Sequence, residues 1–180
     1  MNIRPPSLCV AGMLALALSS AAAAQTTVTL PDTSQTTTMS ANVSEQARVT
    51  VPATVTFSVT NIGVSTAATA ASVTADQIVT SSAAKQLRIS LQANAASFTP
   101  PVAGSVTWSA ADVSWNAATW TNATGTAATL SNSSYNTVAT CQADATSCST
   151  TGLVFTLGAK PTVQRSGAHT LVVTWKFEGI

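Results

Sequence analysis

Residues 86–92 of this 180-residue chain read Gln-Leu-Arg-Ile-Ser-Leu-Gln, so apolar and polar side chains alternate along the run. Successive side chains of a β-strand point to opposite faces of the sheet, and a strand with one buried face shows this alternation. Leu87, Ile89 and Leu91 are therefore expected to face a core, while the polar residues between them face solvent.

The same alternation recurs on both sides of this run. The other stretches that share it are residues 48–59, 76–80, 106–108, 113–115, 153–157 and 170–177. Turn-forming Gly, Asn and Pro residues lie between them. About seven short strands joined by polar turns predict an all-β fold, an antiparallel immunoglobulin-like β-sandwich, with a jelly roll as the structural alternative. The pattern leaves the strand order open.

The last alternating run has the bulkiest apolar face. Leu171, Val173, Trp175 and Phe177 share one side of it, opposite Thr170, Val172, Thr174 and Lys176. We therefore expect Trp175 to be buried against the opposite sheet.

Charge is scarce throughout the chain. Seven Lys or Arg and six Asp or Glu side chains give a net charge of +1, and charged residues make up 7% of the sequence. Without a basic run, the chain has no electrostatic footprint for nucleic acid or anionic lipid. One His and six scattered acids offer no catalytic motif, metal-ligand set or phosphate loop. We expect a protein that is not an enzyme and has no cofactor or metal.

The chain begins with the features of an export signal. Residues 1–24 combine Arg4, an apolar run from Leu8 to Leu18, and a small-residue cleavage pattern that ends at Ala24. The apolar run is shorter than the roughly 20 residues that span a bilayer. The sequence therefore predicts a signal peptide at 1–24, no membrane insertion after its removal, and secretion to the periplasm, cell surface or medium.

Residues 25–47 form a Thr- and Ser-rich N-terminal extension or first strand, which precedes a sandwich domain at 48–180. One interpretation is a flexible tail followed by the first strand. The other is a donor strand that completes the sheet of a neighbouring subunit or of another envelope protein. The better donor is Met39, Ala41 and Val43, whose side chains alternate with polar ones, because Pro31 ends the other alternating stretch at 27–30.

Two of the three cysteines remain once the signal peptide is removed. Cys141 and Cys148 flank six residues that are mostly polar, typical of a hairpin tip or loop. An even pair in an oxidising compartment predicts a disulfide. A loop this short gives about 2.5 kcal/mol of stabilisation from chain entropy. A metal site is the alternative, but the two thiols have no neighbouring His or Cys.

Three tryptophans fall within thirteen residues, at positions 108, 115 and 120. Trp108 and Trp115 each end an alternating stretch, which favours a place in the core. Trp120 lies between Asn116 and Asn122 and is the better candidate for a surface ring that stacks on sugar. Trp120, with Trp108 and the two asparagines, is thus a candidate polysaccharide site.

Several stretches carry a family resemblance. They are Leu-Arg-Ile-Ser-Leu-Gln-Ala at 87–93, Phe-Thr-Pro-Pro at 98–101, Val-Ser-Trp at 113–115, Leu-Ser-Asn-Ser-Ser-Tyr at 130–135, Arg-Ser-Gly-Ala-His-Thr-Leu at 165–171 and Thr-Trp-Lys-Phe-Glu at 174–178. From about residue 48 the chain resembles an uncharacterised family of exported bacterial β-sandwich proteins. Its last strand is also similar to those of WxL-type surface domains and pilin-like subunits. The resemblance implies the fold and export but no activity. A second Trp-x-Leu is absent, so peptidoglycan binding is not implied.

These observations favour a secreted, non-enzymatic structural or adhesive cell-surface protein, as a fibre subunit or an envelope-associated domain. The few charges, the Thr- and Ser-rich strands and the strand-like N-terminal segment all suit a protein held in an assembly. The alternative function is a carbohydrate-binding module that uses surface tryptophans.

Overall fold

The computed structural model describes residues 26–180, so the predicted signal peptide at 1–24 lies outside the described residues. The chain divides into two units after Ala41. The described part of the first unit, residues 26–41, contains no strand, and nearly all of its side chains are exposed.

The second unit, residues 42–180, holds every strand that the structure describes. The strands are β1 (Gln46–Thr50), β2 (Thr66–Ala67), β3 (Ala71–Val79), β4 (Leu87–Ala93), β5 (Val113–Trp115), β6 (Ala123–Gly125), β7 (Ala128–Thr129), β8 (Asn136–Cys141), β9 (Cys148–Leu153), β10 (Phe155–Leu157) and β11 (Val173–Gly179). One 3₁₀ turn, Ala110–Asp112, precedes β5.

The strands form antiparallel sheets with the orders β1-β3-β9, β2-β10-β5-β7 and β11-β4-β8-β6. The first two sheets are continuous, because β2 leads into β3 and β9 leads into β10. The Ala68 amide, which lies between β2 and β3, donates to the Phe155 carbonyl of β10 at 2.8 Å. These two sheets make one layer, which we call layer 1, and the third sheet is layer 2. The predicted all-β antiparallel sandwich is confirmed.

The strand order shows how the chain winds between the layers. From β3 to β9, each strand lies in the layer opposite to the strand before it. Every one of these connections therefore crosses the sandwich, and none is a hairpin within one sheet. This alternation is the winding of the jelly-roll alternative.

The run at 86–92 forms a strand as its alternation predicts, but Ser90, which was expected to face solvent, is buried beside a register shift between β4 and β8. The run forms β4, and Ile89 and Leu91 are fully buried at the centre of the core together with Val73, Val138 and Leu153. The strand lies between β11 and β8 in layer 2. Its apolar face is covered by layer 1, because side chains of both layers belong to the same buried cluster.

Two other alternating runs depart from the prediction. Of residues 48–59, only those up to Thr50 belong to a strand, and no strand forms at 106–108.

Trp175 faces the core as expected, but it is only half-buried rather than buried. The physical reason is that β11 is an edge strand, with β4 on one side and none of the described strands on the other.

Candidate functional site: an open flank of the sandwich

The two cysteines close one side of the molecule. Cys141 ends β8 in layer 2 and Cys148 begins β9 in layer 1, so their bond joins the two layers. Their Cα atoms are 5.9 Å apart, within the range of a disulfide, and each residue is 1% exposed. The predicted Cys141–Cys148 disulfide is confirmed.

The three clustered tryptophans belong to the core. The Trp108 indole donates to the Gly158 carbonyl at 2.9 Å, and the Trp115 indole donates to the Thr126 carbonyl at 2.9 Å. These bonds satisfy the polar edge of each buried ring, so the core interpretation of Trp108 and Trp115 is confirmed.

The expected surface position of Trp120 is wrong. Its side chain is only 8% exposed, and its indole nitrogen is buried without a hydrogen-bond partner in the part of the chain that the structure describes. The ring packs against the backbone of Gly125, where an added Cβ would lie 3.0 Å from the indole nitrogen. Immediately after Trp120, a β-bridge between Thr121 and Ser149 joins the chain to β9.

The two asparagines beside Trp120 support the backbone instead of a ligand. The Asn116 amide donates to the Gly152 carbonyl at 3.1 Å, and its oxygen accepts from the Val154 amide at 2.8 Å. Asn122 donates to the Ser147 carbonyl at 3.3 Å. With both Trp108 and Trp120 buried, these four residues do not form an exposed aromatic platform for sugar.

The opposite side of the sandwich is open at the free edge of β11. Gln86 and Ile180 exchange two backbone hydrogen bonds, at 3.1 and 2.9 Å, and the Asn94 amide donates to the Val172 carbonyl at 2.9 Å. In an antiparallel ladder, every second residue of a strand hydrogen-bonds to the same neighbour. Because Val172 and Ile180 bond to the residues that flank β4, the even-numbered residues of β11 between them bond to β4. The odd-numbered residues point their N–H and C=O groups away from β4. Within residues 26–180, no backbone group pairs with them.

The side chains on this free edge are apolar and only half covered. Trp175 and Phe177 are half-buried and stack on each other with ring centroids 6.4 Å apart, and Val173 is 38% exposed. Their partners across the ladder, Leu91 and Ile89, are fully buried. The inner face of the sheet therefore becomes exposed at its last strand.

Residues 51–60 have the side-chain pattern of a strand without its backbone pairing. Val51, Val55, Phe57 and Val59 are half-buried and pack against the core, while the hydroxyl side chains between them are exposed. Among the described residues, the backbone of this segment makes one hydrogen bond, from the Val59 amide to the Phe57 carbonyl. Its backbone polar groups are thus open on both sides.

The segment and β11 lie on the same flank. Residues 51–60 continue from β1, the edge strand of layer 1, and β11 is the edge strand of layer 2. Glu45, just before β1, lies beside Gly179 of β11, because a Cβ at Gly179 would stand 3.2 Å from its Oε2 atom. We call residues 51–60 together with the free edge of β11 the open flank. A groove of about 370 Å³ borders it, lined by residues 52, 54–56 and 69–71.

Charged side chains fix the start of β1 without entering the apolar part of the flank. Glu45 accepts hydrogen bonds from the Lys85 ammonium at 2.8 Å and from the Ser81 amide at 2.7 Å. These bonds lower the pKa of Glu45 to about 2. Residues 51–60 and 171–175 contain no charged residue. The core face of the flank is therefore uncharged, whereas the outer face of β11 carries Lys176 and Glu178, which form an ion pair with each other.

The predicted donor residues are not engaged in any strand. Met39 is 92% exposed, Val43 is 71% exposed, and Ala41 is exposed as well. No strand begins before Gln46 in the described residues. These side chains are available to another molecule, and their role as a donor stays a prediction.

The open flank is the feature that the sequence did not reveal. The alternation at 51–59 reports which side chains face the core, but it carries no information on backbone pairing. Pro52 was the available signal, since its missing N–H interrupts a ladder.

In residues 26–180 no group of three or more His, Cys, Asp and Glu side chains is placed to hold a metal ion. None of the described helical segments is long and apolar enough to cross a membrane. Comparison with known protein families, curated proteins and solved structures finds no match for this chain.

Proposed function

We propose that the protein is an exported, non-enzymatic structural or adhesive subunit of the cell surface that binds other proteins by accepting a β-strand on its open flank. The observation that carries the proposal is the free edge of β11. It combines a row of unpaired backbone groups with half-exposed aromatic side chains on the core face. An added strand would satisfy the first and cover the second.

Two features support export. The predicted signal peptide at 1–24 directs the chain out of the cytoplasm, and the Cys141–Cys148 disulfide suits an oxidising compartment. The scarcity of charge also suits a subunit held in an assembly, since a low net charge favours association over solubility.

The groups best suited to acid–base chemistry have structural partners, which supports a non-enzymatic role. His169 contacts the Thr107 hydroxyl through Nδ1 at 2.7 Å and the Arg165 carbonyl through Nε2 at 3.1 Å. Asp112 accepts from the Ser109 amide at 2.7 Å and from the Lys160 ammonium at 2.8 Å. Each partner holds a local turn or joins two segments of the chain.

The test removes one free backbone donor from the edge. Val173→Pro deletes an N–H group that points away from β4, so the internal ladder keeps its hydrogen bonds. Proline is tolerated on edge strands. Val173→Thr is the matched control, because it keeps both the N–H group and the branched shape.

We expect the mature wild-type protein and Val173→Thr to associate in sedimentation experiments, and Val173→Pro to remain monomeric with a similar circular dichroism spectrum. Equal association of both variants would overturn strand acceptance at β11. A wild-type protein that stays monomeric at high concentration and binds no envelope protein would overturn the proposed function itself.

A further inference from the structure

We infer that the strand accepted by the open flank is residues 39–43 of a second copy of this chain, added antiparallel to β11. This inference rests on the proposed function and identifies its partner. It is carried by the juxtaposition in one chain of an unpaired acceptor edge and an unpaired, exposed segment with matching alternation.

The donor segment has the features that the flank requires. Met39, Ala41 and Val43 alternate with Ser40 and Asn42, so an extended backbone presents three apolar side chains on one face. Residues 33–44 carry no charge, as on the core face of the flank. In the described structure the segment has no strand partner, so donation to a neighbour would break no existing ladder.

The lengths and sizes match in one register. Five residues of strand span about 17 Å, which equals the stretch of β11 from Val173 to Phe177. In the antiparallel register that places Ala41 opposite Trp175, the smallest donor side chain meets the largest acceptor side chain. Met39 then lies opposite Phe177, and a flexible thioether packs well against an aromatic ring.

This register also satisfies the backbone. Trp175 is an odd-numbered residue of β11, so its N–H and C=O groups point toward the incoming strand. Opposite it, Ala41 would exchange both hydrogen bonds with Trp175. The side chains of Asn42 and Thr174 would then form a non-hydrogen-bonded pair on the outer face, with Cα atoms about 4.5 Å apart.

The first test places one negative charge on either face of the donor. Ala41→Asp would bury a carboxylate against Trp175, whereas Asn42→Asp would leave the same charge in solvent. Both positions are exposed in the described structure, so neither variant threatens the fold. We expect Ala41→Asp to weaken self-association by at least about tenfold and Asn42→Asp to change it little. Equal association constants for the two variants would overturn the inference.

The second test fixes the register by mixing two variants that each add one free cysteine beside the Cys141–Cys148 disulfide, Asn42→Cys and Thr174→Cys. A Cα separation of about 4.5 Å permits a disulfide, so oxidation of the mixture should give a covalent heterodimer. Gln35→Cys replaces Asn42→Cys in the control mixture and should give much less.

The outcomes of the cross-linking test separate the two claims. Equal cross-linking in both mixtures, or none, would overturn residues 39–43 as the donor. If Val173→Pro still abolished association in that case, the flank would remain an acceptor for another strand. If Val173→Pro had no effect, the proposed function would fail as well.

Discussion

The two sides of the sandwich differ in whether the segments that turn apolar side chains to the core also have their backbone groups hydrogen-bonded. On the closed side, β8 and β9 are joined by the buried Cys141–Cys148 disulfide, and both strands are paired within their sheets. On the open flank, residues 51–60 and the free edge of β11 turn apolar side chains to the core with unpaired backbone groups. The flank is therefore an incomplete part of the core.

The difference shows that a sandwich can build most of its core while the backbone N–H and C=O groups of one edge stay unpaired. Unpaired edges are usually shortened, charged or covered in proteins that stay monomeric. Here β11 is seven residues long, and its half-buried face carries Trp175 and Phe177. Such an edge is suited to association with another strand.

The largest expected effect compares one phenylalanine from each side. Phe155 is buried and packs edge-on against Trp115, whereas Phe57 is half-buried on the open flank. Phe155→Ala should lower the free energy of unfolding by about 3–5 kcal/mol, and Phe57→Ala by about 1–2 kcal/mol in the monomer. Denaturant unfolding of both variants measures the difference, and equal losses would mean that the flank is as well packed as the closed side.

Removing the disulfide should have a smaller effect. A Cys141→Ala and Cys148→Ala double variant opens a loop of eight residues, which corresponds to about 2.5 kcal/mol of chain entropy. Alanine is preferred to serine here because both positions are buried. The variant should fold with a lower melting temperature and keep its capacity to associate, since the open flank lies on the other side. Loss of association would show that the two sides are coupled.

The smallest expected effect is a pH dependence at the boundary of the flank. The pKa of Glu45 is lowered from an ordinary value of 4.5 to about 2 by its bonds to Lys85 and Ser81. Its contribution to stability is therefore full above about pH 4.5 and is lost as the pH falls toward about 2. The melting temperature of wild type should exceed that of Glu45→Gln near neutral pH, and the difference should vanish near pH 2. A difference that is constant with pH would contradict this assignment.

The sequence predicted the sandwich because alternation reports burial directly. The run at 86–92 forms a strand with Ile89 and Leu91 fully buried, and the spacing of Cys141 and Cys148 indicated their disulfide. Strand order was beyond its reach, because nonlocal pairing leaves no trace in the alternation of a single strand.

The candidate sites were harder to predict. Trp120 is flanked by Asn116 and Asn122, which suggested a surface position, but both asparagines bond to backbone groups near β9 and the ring turns inward over Gly125. Trp175 was predicted on the correct face. Its partial exposure depends on the absence of a neighbouring strand, which is a property of the sheet and not of the run itself.

The most direct test of the open flank is amide hydrogen exchange along β11, measured by NMR at low and high protein concentration. In the monomer, the amides of Thr174 and Lys176 should be protected by their bonds to β4, whereas those of Val173, Trp175 and Phe177 should exchange fast. On association, the second group should become protected while the first changes little. Protection of all five amides in the monomer, or continued fast exchange of the second group in the assembled protein, would contradict a free edge of β11 that accepts a strand.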